Sequence, residues 1–280
     1  MKRRRDPLLF IGLLFLGGLL LLAIVSPWVG QDPLKTGTIF LPPSSEHWFG
    51  TDELGRDIFA RIAYGARVSL LIGFVVQTVA LVTGIFMGTL GVFAPKWIRT
   101  IVNRFTDGMF AFPDILLAML IIGLWSAKKS TGSGFFAEFM NLLPVMVALS
   151  ITAWPGLARL VAAQLASLKD REYVVAARAA GASTFYIVTR HVLPQLWGIL
   201  IAVSMVELAG TILAESTLSF LGIGVQAPIP SWGSMINNAR TDMNSHPILL
   251  LWPCAVLSLT IFALNFVGDG LRARFDPKSH

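Results

Sequence analysis

The chain has 280 residues, 55% of them hydrophobic and 14% charged, with a formal net charge of +6. Water-soluble domains carry about 25% charged residues, so this composition excludes an ordinary soluble domain and a disordered chain alike. The single cysteine, Cys254, excludes an intrachain disulfide or a cysteine-built metal cluster.

In chain order, the apolar residues fall into runs long enough to cross a hydrocarbon core, which takes about 20 helical residues. The first run, 8–25, follows Lys2, Arg3, Arg4 and Arg5. It is long for a signal-peptide core, and Ser26-Pro27-Trp28 makes a poor cleavage site, so it reads as an uncleaved first helix. Residues 30–66 are rich in Pro, Gly and charge. Ile58, Ile62 and Gly65 share a helical face there, which predicts a short amphipathic helix at the outer interface leading into the second span. Trp48 and Phe49 suit an interfacial aromatic belt. The second span is 68–95, and a tight turn at 95–99 leads to a third, 100–125, which carries Arg104, Asp107 and Asp114 and is expected to bend at Pro113.

A polar stretch, 126–138, precedes the fourth span, 139–158, with Trp154-Pro155 near its inner end. A long polar segment, 159–193, follows. The fifth span, 194–218, is interrupted by Glu207 and Glu215, and the alternative for it and for the third is a helix lying at the interface. Residues 219–246 are too rich in Gly and Pro for one helix and too apolar for a solvated loop, which predicts a re-entrant or capping element. The sixth span is 247–267, and 269–280 is a polar tail. The fold class is thus an all-α integral membrane protein with six transmembrane helices, because lipid satisfies no peptide group. Six spans put both termini on one side. If that side is the cytoplasm, fifteen Lys and Arg residues lie inside and seven outside, in keeping with the positive-inside rule. The charge excess reads as topology and not as a nucleic-acid patch.

Within the long polar segment, Tyr173, Ala176, Ala177 and Ala180 share one helical face. Ser167 with Asp170 forms a possible capping box. Gly181 is placed to end that helix in a left-handed cap, Ser183 to cap a second short helix running to about Arg190, and Pro194 to start the next span. A face built from alanines approaches a partner backbone closely or packs on the protein's own helix ends, and spacing alone leaves both open.

Ala176-Ala177, Gly181 and Leu193-Pro194 stand at the spacing of the signature cytoplasmic loop of ATP-binding-cassette importer permeases, and the chain resembles that family. Val175 stands where the general signature has Glu, and His191 where it has Ile. Glu172-Tyr-Val-Val-Ala-Ala-Arg with His191-Val-Leu-Pro resembles the peptide and nickel branch, where those departures are usual. Phe49-Gly-Thr-Asp-Glu-Leu-Gly-Arg-Asp and Leu213-Ala-Glu-Ser-Thr-Leu-Ser-Phe-Leu-Gly support the same branch, and the first, lying before the second span, resembles its C-type subunit.

The resemblance implies the type I importer permease fold. It divides the chain into 1–66 (first helix plus outer segment), 67–268 (five-helix permease domain with coupling loop 167–193) and 269–280 (cytoplasmic tail). It implies a subunit of the bacterial cytoplasmic (inner) membrane, with both termini cytoplasmic, that forms half the path for di- or oligopeptides. Nickel, a metal chelate or another small solute is the alternative cargo. Glu172, Tyr173, Ala176, Ala177, Gly181, Leu193 and Pro194 would engage an ATPase. The implied partners are a homologous second permease, two ATPase subunits, an extracytoplasmic solute-binding protein and the bilayer, with no nucleic acid. No cofactor is expected on this chain, and ATP and Mg2+ would be bound by the ATPases.

The residues themselves carry no Gly-x-x-x-x-Gly-Lys-Ser/Thr loop, His-Glu-x-x-His or Gly-x-Ser-x-Gly, so a catalytic subunit is not expected. Asp114, Glu207 and Glu215 are candidates for the path or a gate, since ionisable groups within spans are functional suspects. Proton coupling is one role for them, and pairing with polar groups at the bundle mouth or a subunit interface is the other. His47, His191 and His246 are too scattered to make one ligand set. An ion-coupled transporter acting alone is the rival class, but it would be expected to show internal repeats.

Overall fold

The structure is a computed structural model that describes residues 6–28, 31–125 and 134–275. Among the described residues the chain is helical, apart from one isolated bridge between Thr51 and Asp57. The helices are α1 (Pro7–Val25), α2 (Ile58–Phe93), α3 (Lys96–Met109), α4 (Asp114–Leu124), α5 (Phe135–Leu168), α6 (Glu172–Ala179), α7 (Thr184–Ile187), α8 (Leu193–Phe220), α9 (Trp232–Ala239) and α10 (Ile248–Phe275). A π-helical turn, Val188–Val192, joins α7 to α8. Most of the 126–138 stretch lies outside the described residues.

Five helices are individually long and apolar enough to cross a membrane, and α3 with α4 makes the sixth span only as a pair bent by 92°. The expected six is reached when that pair is counted as one span, and the pair is not the single kinked helix expected. The helix is interrupted at Phe110–Pro113, and Pro113, which contributes no amide to the preceding turn, sits as N-cap of α4.

Two other boundaries differ from expectation. The outer amphipathic helix is not separate: α2 is continuous from Ile58 and, at 36 residues, runs about 54 Å. Its first turns do not lie on the membrane surface. Ile58 and Ile62 are buried with Met235, Ala239 and Leu249 beneath α9 and α10. Asp57 starts the helix by accepting from the Ala60 amide at 2.7 Å. At the other end, α10 continues through Asp269 to Phe275, so much of the expected polar tail is helix.

The bundle is assembled on small residues. Gly84 and Gly88 bring α2 against α5 at Leu157, Ala158 and Val161, while Gly73 seats α2 on Leu208 and Ile212 of α8. Gly268 brings α10 against Ala202 and Val206 of α8, and Gly12 brings α1 against α10. Lipid supplies no hydrophobic drive between helices, so close packing of this kind holds the spans together. One end of the bundle, the cap end, carries residues 31–57 and α9. The opposite loop end carries α6 and α7.

The α2–α5 contact has a direct test. A Cβ at Gly88 would meet the Ala158 carbonyl at 2.7 Å and Val161 Cβ at 2.8 Å. Gly88→Val should cost roughly 1–3 kcal/mol of overpacking and lower the melting temperature of the detergent-purified protein. Gly17→Val, which meets nothing within 4 Å, should leave it unchanged.

Candidate functional site

At the loop end, α5 runs well past the expected boundary of the fourth span and stops only at Leu168. The expected Ser167–Asp170 capping box does not form. Ser167 Oγ instead donates back to the Gln164 carbonyl at 2.8 Å, inside the last turn of α5. The N-cap of α6 is Arg171, without a side-chain cap bond. Glu172 lies in the first turn of α6 and Arg178 in its last, each of the sign that complements the helix dipole.

The left-handed cap is present as expected. Gly181 has φ +86°, which an L side chain adopts only with strain. Its N–H donates to the Arg178 carbonyl and the Ala182 N–H to the Ala177 carbonyl, each at 3.0 Å, closing a Schellman motif. Ser183 then accepts from the Tyr186 amide at 3.3 Å and starts α7.

The second short helix does not end near Arg190. α7, the π turn and α8 form one continuous helix, Thr184–Phe220. Leu193 and Pro194 therefore lie within that helix, in the first turn of α8, and do not mark a fresh start. The turn preceding them is fastened to α6, because the Tyr173 hydroxyl meets Gln195 Oε1 at 3.4 Å and Gln195 Nε2 donates to the His191 carbonyl at 2.8 Å.

The expected alanine face is divided. Ala177 is half-buried, while Tyr173, Ala176 and Ala180 face outward. The residue that anchors α6 is Val174, fully buried with Val161, Leu165, Ile187, Val192, Leu196 and Leu200. The sequence reading missed it, although its i, i+3 spacing to Ala177 was the available signal. Val175, Phe185 and Tyr186 stand outward, with Phe185 at 78% exposure. A helix pair held from behind by Val174 of α6 and Ile187 of α7 thus presents an uncovered front that includes Val175, Phe185 and Tyr186.

The three in-span carboxyls do not form one group. Glu215 is fully buried. Ser69 of α2 donates to its Oε2 at 3.1 Å, Ser216 to Oε2 at 3.3 Å and Ser219 to Oε1 at 2.8 Å. Ser219 Oγ in turn accepts from the Val225 amide at 2.9 Å. Glu215 therefore pairs with polar groups at the cap end of the bundle. Asp114, the first residue of α4, and Glu207 of α8 are both exposed in the single chain and act on one another electrostatically.

A further pair escaped the sequence reading. Arg159 NH2 meets Asp107 Oδ1 at 2.9 Å across a cleft of about 280 Å³ between α2, α3 and α5, and its guanidinium stacks over Phe110 at 3.9 Å. No group of metal-binding residues is present among the described residues. His47 pairs with Asp57 at 2.8 Å, His246 stacks on Phe40, and His191 sits beside Tyr186.

These elements define a multi-span helical membrane bundle with a glycine-jointed helix pair at one end. Residues 80–280 match the family described as binding-protein-dependent transport system inner membrane component, and the chain belongs to that family. It is 36% identical to the dipeptide transport system permease protein DppC of Bacillus subtilis (strain 168), over 99% of this chain and 84% of the relative. It is 33% identical to the oligopeptide permease OppC of the same organism, over 99% and 88%. Against the glutathione permease GsiD of Pectobacterium atrosepticum it is 39% identical, over 84% and 74%. Among solved structures, the fold is similar to the inward-facing MetNI methionine ABC transporter, with TM-score 0.59 and 20% identity over 76% of this chain and 94% of that one. The chain is thus a multi-pass inner membrane transport permease of the type I importer fold.

The serine cluster predicts a stability effect. Glu215→Ala removes the common acceptor of Ser69, Ser216 and Ser219. Each orphaned buried hydroxyl costs about 1–3 kcal/mol, so the variant should melt well below the parent in detergent. Ser69→Ala, which removes one donor, should cost less.

Proposed function

We propose that this chain is the C-type permease of an ATP-driven importer of di- or oligopeptides, forming half of the path with a homologous second permease. The observation that carries the reading is the helix pair of α6 and α7, jointed at Gly181 and continuous through α7 with a full membrane span. Such a part suits a lever driven from outside the membrane. The relatives named for dipeptide, oligopeptide and glutathione transport favour peptides as cargo.

In this reading the loop end and both termini face the cytoplasm, and the cap end faces the extracytoplasmic binding protein. The chain holds no cofactor. ATP and Mg2+ bind to two ATPase subunits, into whose clefts Glu172, Tyr173, Ala176 and Gly181 project. Leu193 and Pro194 act from within α8, transmitting the motion and not touching the ATPase. Closure of the ATPases pushes α6. The Val174 contact and the Tyr173–Gln195 link carry that displacement to α5 and α8. The transporter then shifts population between inward- and outward-open states because the ATPase makes different contacts with each.

Gly181 provides the test. Asp and Asn tolerate the left-handed region better than other side chains, so both should preserve the joint, while only Asp adds charge to the docking surface. In proteoliposomes holding the second permease, ATPases and binding protein, Gly181→Asp should abolish most peptide-stimulated ATP hydrolysis and uptake, and Gly181→Asn should retain most of both. Normal uptake by Gly181→Asp would remove this role. Labelling of residue 176 from the extracytoplasmic side would refute the orientation.

A further inference from the structure

The break between α3 and α4 is short of packing. Phe110 and Phe112 are 46% and 61% exposed, and Ala111 and Pro113 are exposed as well. Apolar burial therefore does little to fix the point from which α4 departs at 92°. The last turns of α3 are better seated. Met109 packs with Ala80 of α2 and Trp154 of α5, and Phe105 stacks on Trp154 with ring centroids 5.8 Å apart.

Arg159 of α5 reaches both parts. Its NH2 meets Asp107 Oδ1, in the last turn of α3, at 2.9 Å. Its guanidinium lies 3.9 Å from the ring centre of Phe110, the C-cap of α3 and first residue of the break. The two contacts use different parts of one planar group, its edge for the carboxylate and its face for the ring. A lysine ammonium offers no such plane. The pair is not a staple for the fold, because the two side chains are 56% and 59% exposed and an ion pair this open contributes little net stability. What it specifies is a position.

The place of Arg159 on α5 gives that position a use. Four residues before it, Pro155 offers no amide to the Ile151 carbonyl, so the helix lacks a backbone bond on the cap side of Arg159. Beyond it, Val161 and Leu165 pack with Val174, the buried residue of α6. No proline or break interrupts α5 between Arg159 and Leu168. The guanidinium that grips the break thus belongs to the same helical stretch as the seat of α6.

We infer that Arg159 is a positioning residue for transport. Through Asp107 and Phe110 it ties the α3–α4 break to the stretch of α5 that carries α6, so that the two shift together. Arg159 acts through these neighbours and touches neither peptide nor nucleotide. The inference rests on the importer reading above and names a residue by which α6 acts on the bundle.

The test compares Arg159→Gln, Asp107→Asn and the exchange of Asp107→Arg with Arg159→Asp, in proteoliposomes of the assembled transporter with its binding protein. Labelled alanine di- and tetrapeptides are the probes, and the readout is peptide carried per ATP hydrolysed. A mere loss of folded protein lowers both rates and leaves that ratio alone. Each single variant should lower the ratio about fivefold or more, the low end of the range for coupled sites, with the melting temperature unchanged. The exchange should raise the ratio above that of either single variant. Arg159→Lys, which keeps the charge but not the face over Phe110, should fall between the parent and Arg159→Gln. If both single variants keep the parent's ratio, or if melting temperature falls with uptake and the exchange rescues neither, the inference is wrong and the importer reading survives. If the parent assembly shows no ATP-dependent uptake of either peptide, the importer reading itself fails and the inference falls with it.

Discussion

A carboxyl group buried away from water costs several kcal/mol unless donors surround it, and the cap end of this protein is organised around meeting that requirement for Glu215. The donors are Ser69 from α2 and Ser216 and Ser219 from α8 itself, and Ser219 Oγ also accepts from the Val225 amide of the segment after α8. Satisfying Glu215 therefore fixes the position of α2 against α8 and of the 221–231 segment against both. The surroundings leave no slack. Gly233 lies against the Ser216 backbone and Gly224 against Ser219, so no side chain fits at either. Trp232 is fully buried and donates to the Ile62 carbonyl at 3.2 Å. The cap is thus keyed into the first turns of α2, which explains why those turns are buried and not spread on the membrane surface.

The loop end is built differently. α6 has a single fully buried side chain, Val174, and one side-chain link, Tyr173 to Gln195. Segments with few buried contacts open and shift at low free-energy cost. The two helices that flank α6 are long and continuous, α5 reaching Leu168 and the joined α7–α8 starting at Thr184. α6 is thus the lightly held element between two stiff ones. The cap end is thus locked and the loop end lightly held.

Much of this was legible in the sequence. The spans follow from hydropathy, and the Gly181 and Ser183 caps from residue types whose preferences are local. What was not legible depends on distant partners or on angle. Pro113 announces a break but carries no information about 92°. Glu215 was visible as a suspect, but Ser69 lies 146 residues away. The Arg159–Asp107 pair spans 52 residues and was split between two expected segments. Boundaries at 58 and 168 were misplaced for a related reason. Polar residues end a hydrophobic run without ending a helix, and Ala-rich 162–166 propagates α5 into the polar region.

The π turn explains how the motif's Leu193-Pro194 can lie inside a helix. Proline offers no amide, and its ring clashes with the carbonyl four residues back, here that of Arg190. In an α-helix that clash would kink or end the rod, which is why Pro194 reads as a start. Instead, Val188–Val192 is wound wider, and the Leu193 N–H bonds to the Val188 carbonyl, five residues back. Single π turns are the usual way to insert a residue without breaking a helix. The wider winding accommodates the proline while Ile187, Val188 and Val192 stay buried, the first and last of them against Val174. It follows that the glycine and the proline do opposite jobs. Gly181 frees the direction of the chain between α6 and α7, and the π turn before Pro194 preserves it between α7 and the membrane. The path from α6 to the membrane span has one joint, not two.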